Sequence, residues 1–284
     1  MIKQYKKKNV ISSETKREGI NSEQKWAIGI IDGEGHIGLE WTNKEKTKWV
    51  PVLKVTLHRY NARAVYRLKS IFEIGKITYS GDTITYRVRS KRLWHSVLIP
   101  LFGVFHLRSM KYAAVLIIKK ALCMEQVGNA TPNNLLKLQQ SLDRKTDQIS
   151  PIWRNGMGLK DILDLDWLAG FIEVEGRFYI LNNGQHGFAI GQTYDQHIII
   201  GINRLFKVES AFKRTSYIML DTKNTETLHL IASAINKRLL GVKSFEFSLW
   251  LRTLRKKNKA KTLKVKSIIA LIRKRCEKKL RSIN

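Results

Sequence analysis

Glu34 and Glu175 each follow a short apolar run and precede a glycine, in the segments WAIGIIDGEGHI (residues 26 to 37) and WLAGFIEVEGRF (residues 167 to 178). A carboxylate at the end of a helix faces the negative pole of the helix dipole, which is unfavourable unless a cation compensates. Magnesium takes one or two carboxylates and completes its shell with water and phosphate oxygens. The segments align without a gap: Trp26 over Trp167, Gly29 over Gly170, Ile31 over Ile172, Glu34 over Glu175 and Gly35 over Gly176, with Asp32 over Glu173 as a conservative acid match. One such segment alone reads as an ordinary helix end. Two at one offset of 141 residues (167 minus 26) read as a motif used twice. If the two helices meet at a pseudo-twofold axis, each glutamate can hold a divalent cation, Mg2+ foremost, against a phosphodiester, one on each strand of a duplex.

That chemistry requires two helices that approach closely. Asn21 or Ser22 suits the N-cap of the first and Asp164 that of the second, and Gly35 and Gly176 suit the position past each end. Gly29 and Gly33 lie four apart on one helix face, where a partner helix can come near. The second segment keeps Gly170 but has Val174 in place of the later glycine.

Similar patterns follow each motif. In the first half, strands are expected near 36 to 42 and 50 to 58, a helix at 61 to 72, strands near 75 to 79 and 83 to 89, then helices at 91 to 101 and 109 to 125. The second half repeats this with strands near 177 to 182 and 187 to 194, a helix from 196, strands around 207 to 221, then helices. The expected organisation is a basic arm over 1 to 20, a first domain over 21 to 126, a polar linker with one short helix over 127 to 160, and a second domain over 161 to 284.

The chain holds 52 Lys and Arg against 23 Asp and Glu, a formal charge of +29, which points to a polyanionic partner. No run reaches the roughly 18 uninterrupted apolar residues of a spanning helix, so no membrane role is expected. Cys123 and Cys276 lack zinc spacing and sit in helix-like apolar patterns, which predicts reduced core residues. The start of the chain is basic and lacks the apolar core of a secretory signal.

Strand alternation puts Leu53, Val55 and Leu57 on one face and Lys54, Thr56 and His58 on the other; likewise Thr85, Arg87 and Arg89 oppose Ile84, Tyr86 and Val88. A sheet with one apolar face and one face of Lys, Arg, Thr and His suits base reading and phosphate contact. From Arg252 to Arg281 basic residues, including Arg255, Lys256 and Lys257, accompany an apolar stripe of Val265, Ile268, Ile269, Ile272 and Cys276, an amphipathic helix with its basic face toward phosphates.

With LAGFIEVEG at 168 to 176 and AIGIIDGEG at 27 to 35, the chain resembles the LAGLIDADG homing endonuclease family in its single-chain, two-motif form. The resemblance covers nearly the whole chain. It implies an α+β fold of two pseudo-symmetric αββαββα domains, motif helices packed at the interface, and an antiparallel saddle facing DNA. It assigns the last acid of each motif, Glu34 and Glu175, to the metal, and Asp32 and Glu173 to structural contacts at the helix end. Gln192 resembles the family's glutamine beside the active site, where the first half has Leu57. Lys111 resembles a lysine opening the last helix of a domain, and the 141-residue offset pairs it with Arg252. Ile28, Val174 and Glu173 depart from the family pattern.

The resemblance implies a Mg2+-dependent nuclease cutting double-stranded DNA at a long asymmetric site, as a monomer with an internal pseudo-dimer. The alternatives are an RNA-binding derivative, acting on intron or ribosomal RNA with little cleavage, and a regulator that binds DNA without cutting. The Lys-, Ile- and Asn-rich composition points to a mitochondrion or plastid.

Overall fold

The computed structural model describes residues 21–141, 149–154, 156–208, 211–214, 217–256 and 258–281. The first half runs α1 (Ser22–Glu34), β1 (Gly35–Trp41), β2 (Trp49–His58), α2 (Ala62–Phe72), β3 (Lys76–Ser80), β4 (Thr83–Val88), α3 (Lys91–Leu93), a π turn (Trp94–Leu98), α4 (Ile99–Val104) and α5 (Lys111–Gln126). Between the halves lie α6 (Pro132–Gln140) and α7 (Leu159–Ile162). The second half runs α8 (Leu165–Glu175), β5 (Arg177–Ile180), β6 (His186–Gln192), α9 (Gln196–Phe206), β7 (Ala211–Arg214), β8 (Tyr217–Thr222), α10 (Thr225–Ile235), α11 (Lys243–Lys256) and α12 (Lys259–Arg281). The fold is α+β: two antiparallel four-stranded sheets of the same topology, ordered β1-β2-β4-β3 and β5-β6-β8-β7.

Local sequence explains the elements. Asn21 and Gln24 form a reciprocal capping box on α1, and the Asp164 side chain accepts from Asp166 N and Trp167 N at the start of α8. Lys25 on α1 donates to Asp164 Oδ2 at 2.9 Å, tying one motif helix to the cap of the other. In α2 the buried residues Ala64, Val65, Leu68 and Phe72 recur at helical spacing, as do Ile198, Ile199, Ile202 and Phe206 in α9. Leu53, Val55, Leu57, Ile84, Tyr86 and Val88 are buried under the first sheet, and Phe188, Ile190, Ile218 and Leu220 under the second.

Four expectations need correction. Gly35 and Gly176 do not take a left-handed cap: their φ values are −71° and −78°, and Gly35 opens strand β1 while Gly176 lies just before β5. Glycine is needed there for space, since a Cβ on Gly35 would lie 2.4 Å from the Ile31 carbonyl oxygen and one on Gly176 2.7 Å from Ile172 Cγ2. Cys123 is exposed rather than in the core, and the side chain of Cys276 lies outside the described residues. The helix expected at 91 to 101 is interrupted by the π turn, because Pro100 has no N–H to give the Ser96 carbonyl. Residues 252 to 281 are not one helix: Arg252 belongs to the end of α11, and α12 starts afresh at Lys259 behind the Asn258 side chain.

α12 reaches the first half. Its Arg273 Nε donates to Glu246 Oε1 of α11 at 2.8 Å, and the same carboxylate accepts the hydroxyl of Tyr60, from the turn after β2. Among the described residues no helix is long and apolar enough to cross a membrane.

Candidate active site

The two motif helices meet at reciprocal points. A Cβ on Gly29 would lie 2.0 Å from the carbonyl oxygen of Trp167, and a Cβ on Gly170 1.9 Å from that of Trp26. Trp26 and Trp167 are themselves aligned residues, so each glycine receives the backbone of the other motif in the same way. That is local twofold symmetry. The departures from the repeat fit this interface: Ile28 is fully buried, and Val174 fills the space over Gly33, where a Cβ would come within 2.4 Å of its Cγ2.

Helix contact carries the terminal carboxylates together. Glu34 is exposed and Glu175 half-buried, and a Cβ on Gly33 would lie 3.5 Å from Glu175 Oε1. Burial first, then the charge of Glu34, push the Glu175 carboxyl above its ordinary value; the Gln192 side chain and the nearby Lys111 and Lys243 act the other way. Glu175 therefore holds its proton more tightly folded than unfolded, and stability falls as pH rises from the ordinary carboxylate range through the raised value. Glu175→Gln should raise the thermal midpoint at about pH 7.5 in chelator and leave it unchanged at about pH 3, below both values. A lower midpoint at both pH values would contradict this arrangement.

Asp32 and Glu173 turn inward. Asp32 is 1% exposed; its Oδ2 accepts from Arg108 N (2.9 Å) and Trp167 Nε1 (2.8 Å), and its Oδ1 from Ser109 N (2.9 Å) and the Ser109 hydroxyl. Glu173 accepts from Gly241 N (3.1 Å) and Lys243 N (3.0 Å), and burial pushes its carboxyl up. Symmetry stops at the indoles: Trp167 Nε1 is bonded to Asp32, while Trp26 Nε1 is buried with no partner among the described residues.

Lys111 Nζ donates to the carbonyls of Asp32 and Gly33 (2.9 Å), at the end of α1. Its counterpart is Lys243, not Arg252: Lys243 Nζ donates to the carbonyls of Ile172 (2.9 Å) and Gly176 at the end of α8, whereas Arg252 is exposed further along α11. Each lysine satisfies helix-end carbonyls and places a cation against the negative pole. Burial lowers Lys243 to about 8, against the raising influence of Glu173. The constant offset missed it because the second half is more compact. The offset is 141 at His36 and Arg177, 135 at the strand partners Lys54 and Ala189, and 132 at the lysines. The signal was the helix start, SMK at 109 to 111 against GVK at 241 to 243.

By strand register Gln192 and Leu57 occupy equivalent positions in β6 and β2. The Gln192 side chain lies near enough to Glu175 to favour its charged form, whereas Leu57 is 7% exposed in the core, so the two carboxylates have unequal support.

Lys54, Thr56, Thr85 and Arg87 lie partly exposed on the open face of the first sheet, with Thr56 Oγ1 2.9 Å from Thr85 Oγ1. His58 is exposed at the end of β2, its Nδ1 accepting from Tyr60 N. Arg89 lies just past β4 and pairs with Glu40 at 3.5 Å. Arg255 is exposed on α11, away from these strands in the chain; the Lys256 side chain, Lys257 and residues 1 to 20 lie outside the described residues. The open face of the second sheet, not singled out from the sequence, forms with Glu175 a hollow of about 490 Å³ lined by Arg177, Tyr179, Ala189 and Asp221.

Residues 27–122 match the family described as LAGLIDADG endonuclease. The chain is 32% identical over 251 residues to a probable intron-encoded endonuclease of Schizosaccharomyces pombe, covering 81% of this chain and 64% of that protein. It is 31% identical over 93 residues to one of Dictyostelium citrinum, covering 31% of this chain and 38% of that protein. The chain thus spans less than two thirds of the length of either relative. Among solved structures, I-SmaMI bound to an uncleaved DNA target superposes with a TM-score of 0.69 at 20% identity, covering 87% of this chain and 97% of the other. I-GzeII in complex with its DNA target gives 0.69 at 19%, covering 86% and 96%.

Proposed function

We propose that the chain is a member of the LAGLIDADG endonuclease family that it resembles, a site-specific endonuclease that hydrolyses one phosphodiester on each strand of a DNA duplex. The observation that carries this reading is the reciprocal Gly29–Trp167 and Gly170–Trp26 packing, which sets Glu34 and Glu175 together at the meeting point of the two halves.

The donor set fits divalent cations such as Mg2+, with one motif carboxylate, Glu34 or Glu175, as the protein ligand at each of two active sites. The Glu175 carboxyl is raised by burial and by the charge of Glu34, an unfavourable interaction that a bound cation would relieve. Among the described residues no group of three or more His, Cys, Asp or Glu gathers into a cage, which suits an ion that shares its shell with phosphate oxygens and water. When bound, it supplies polarisation of the phosphoryl oxygen and a more acidic attacking water. Lys111 and Lys243 each spend two donors on carbonyls at the end of a motif helix; the third ammonium proton of each is available to a phosphate oxygen. Gln192 orients Glu175. Lys54, Thr56, His58, Arg87 and Arg89 supply contacts to bases and backbone, and the charge of +29 the non-specific attraction. The target is a long asymmetric site, and the chain acts as a monomer whose halves form an internal pseudo-dimer. The Lys-, Ile- and Asn-rich composition and the intron-encoded relatives support an organellar setting.

The test uses a supercoiled plasmid carrying the intron-less form of the host gene, with Mg2+. Wild type is expected to linearise it. Glu34→Gln and Glu175→Gln should each form linear product at least about 100-fold more slowly while nicked circles accumulate, and the double variant should leave the plasmid supercoiled. A double variant that linearises DNA as fast as wild type would end this assignment. So would a wild type that leaves the plasmid intact while binding structured RNA.

A further inference from the structure

The two open sheet faces differ at equivalent places. In the first sheet, strand register lines up His36, Lys54, Arg87 and Lys76 in one row across β1, β2, β4 and β3. In the second it lines up Arg177, Ala189 and Asp221 across β5, β6 and β8. Both rows start two residues after a motif glutamate, so they lie equally far from the site of cleavage along the groove. Where the first row has Lys54 and Arg87, the second has Ala189 and Asp221. A cation has been exchanged for an anion on a face meant for a polyanion.

Asp221 is held in place. The Tyr179 hydroxyl donates to its Oδ1, and Oδ2 has no hydrogen-bond partner among the described residues. The Tyr179 ring lies against Gly187, where a Cβ would sit 2.1 Å from Cζ, and the Tyr217 ring against Gly191, where a Cβ would sit 2.2 Å from its hydroxyl oxygen. Both glycines admit a ring that lies flat along the sheet. Asp221, Tyr179, Ala189 and Arg177 line the same hollow as Glu175.

A carboxylate brought beside phosphates is repelled and desolvated unless a donor meets it. In the major groove the lone donor edge is the N4 amino group of cytosine; adenine also offers an amino group but sets its N7 acceptor beside it, and guanine presents two acceptors. Lys54 and Arg87 have the opposite preference, for guanine O6 and N7. Resting on the endonuclease reading, we propose that Asp221 reads a cytosine amino group in one half-site, while the Lys54–Arg87 row reads guanine at the corresponding base pair of the other.

The test is selection from a randomised duplex pool by binding to the full chain, followed by competition with all four base pairs at each enriched position. Wild type should prefer cytosine about tenfold at one position of one half-site. Asp221→Asn, whose side-chain oxygen can still accept the Tyr179 hydroxyl, should erase that preference, leave the other half-site unchanged and keep the thermal midpoint. Arg87→Gln should relax only the guanine in the other half-site. If Asp221→Asn folds, binds the selected duplex and keeps the cytosine preference, the assignment of Asp221 is wrong although the DNA reading stands. If wild type enriches no duplex, both fall together.

Discussion

Asp32→Asn is expected to cost the folded protein about 3–5 kcal/mol, more than its near-isosteric shape suggests. Each Asp32 oxygen accepts two donors: Arg108 N and Trp167 Nε1 on one, Ser109 N and the Ser109 hydroxyl on the other. An amide offers one acceptor and one NH2: turned toward Arg108 N and Trp167 Nε1 the NH2 faces two buried donors, and turned toward Ser109 it faces one, the backbone N–H, since the hydroxyl can rotate to accept. The Arg108 guanidinium, 1% exposed and pushed down to about 10 by burial, also loses the Asp32 charge that favours its protonation. The control is Glu173→Gln, where the carboxylate accepts from Gly241 N and Lys243 N. Its raised carboxyl already favours the neutral form, so the loss there should be less than half as large. Denaturant midpoints measure both, and equal losses would remove the distinction drawn between the two inward acids.

Gly29→Ala carries the second large effect. The added methyl would sit 2.0 Å from the carbonyl oxygen of the fully buried Trp167, a backbone atom that cannot swing aside, so the helices must separate. Overpacking of this kind costs about 1–3 kcal/mol or more, and displacement of catalytic groups by about 1 Å costs on the order of 100-fold in rate. Gly29→Ala should therefore lower both stability and plasmid linearisation, and Gly170→Ala should match it, because its methyl would meet the Trp26 carbonyl at 1.9 Å. The pair should be less than additive, since one separation relieves both clashes. Gly103→Ala in α4 is the control: nothing lies within 4 Å of its added Cβ, and alanine suits a helix better. A Gly29→Ala protein as stable and as fast as wild type would mean that the glycine contact does not hold the carboxylates.

Much of this was legible in the sequence, because it depends on short-range pattern. The two motifs, their caps and the period-2 strands rest on residues within a few positions of one another, and α1, α8, β2 and β4 lie where those patterns put them. Lys243 was not legible by counting. Its place depends on how much shorter each loop of the second half is than its partner, and an offset that shrinks from 141 to 132 residues cannot be recovered from one motif. Cys123 was misplaced because an apolar pattern marks a face, not the depth at which that face lies.

By itself the sequence determined that a carboxylate-ended helix occurs twice, that each is followed by strands with one apolar and one polar face, and that the whole is strongly basic. These are local chemistry and summed charge, which need no partner in space. The tertiary structure alone decided that Val174 sits over Gly33, that Trp167 bonds Asp32 while the Trp26 indole finds no partner among the described residues, and that Asp221 stands where the other sheet has Arg87. Each is a contact or register between residues far apart in the chain, set by the close packing of two helices and two sheets rather than by any spacing along it.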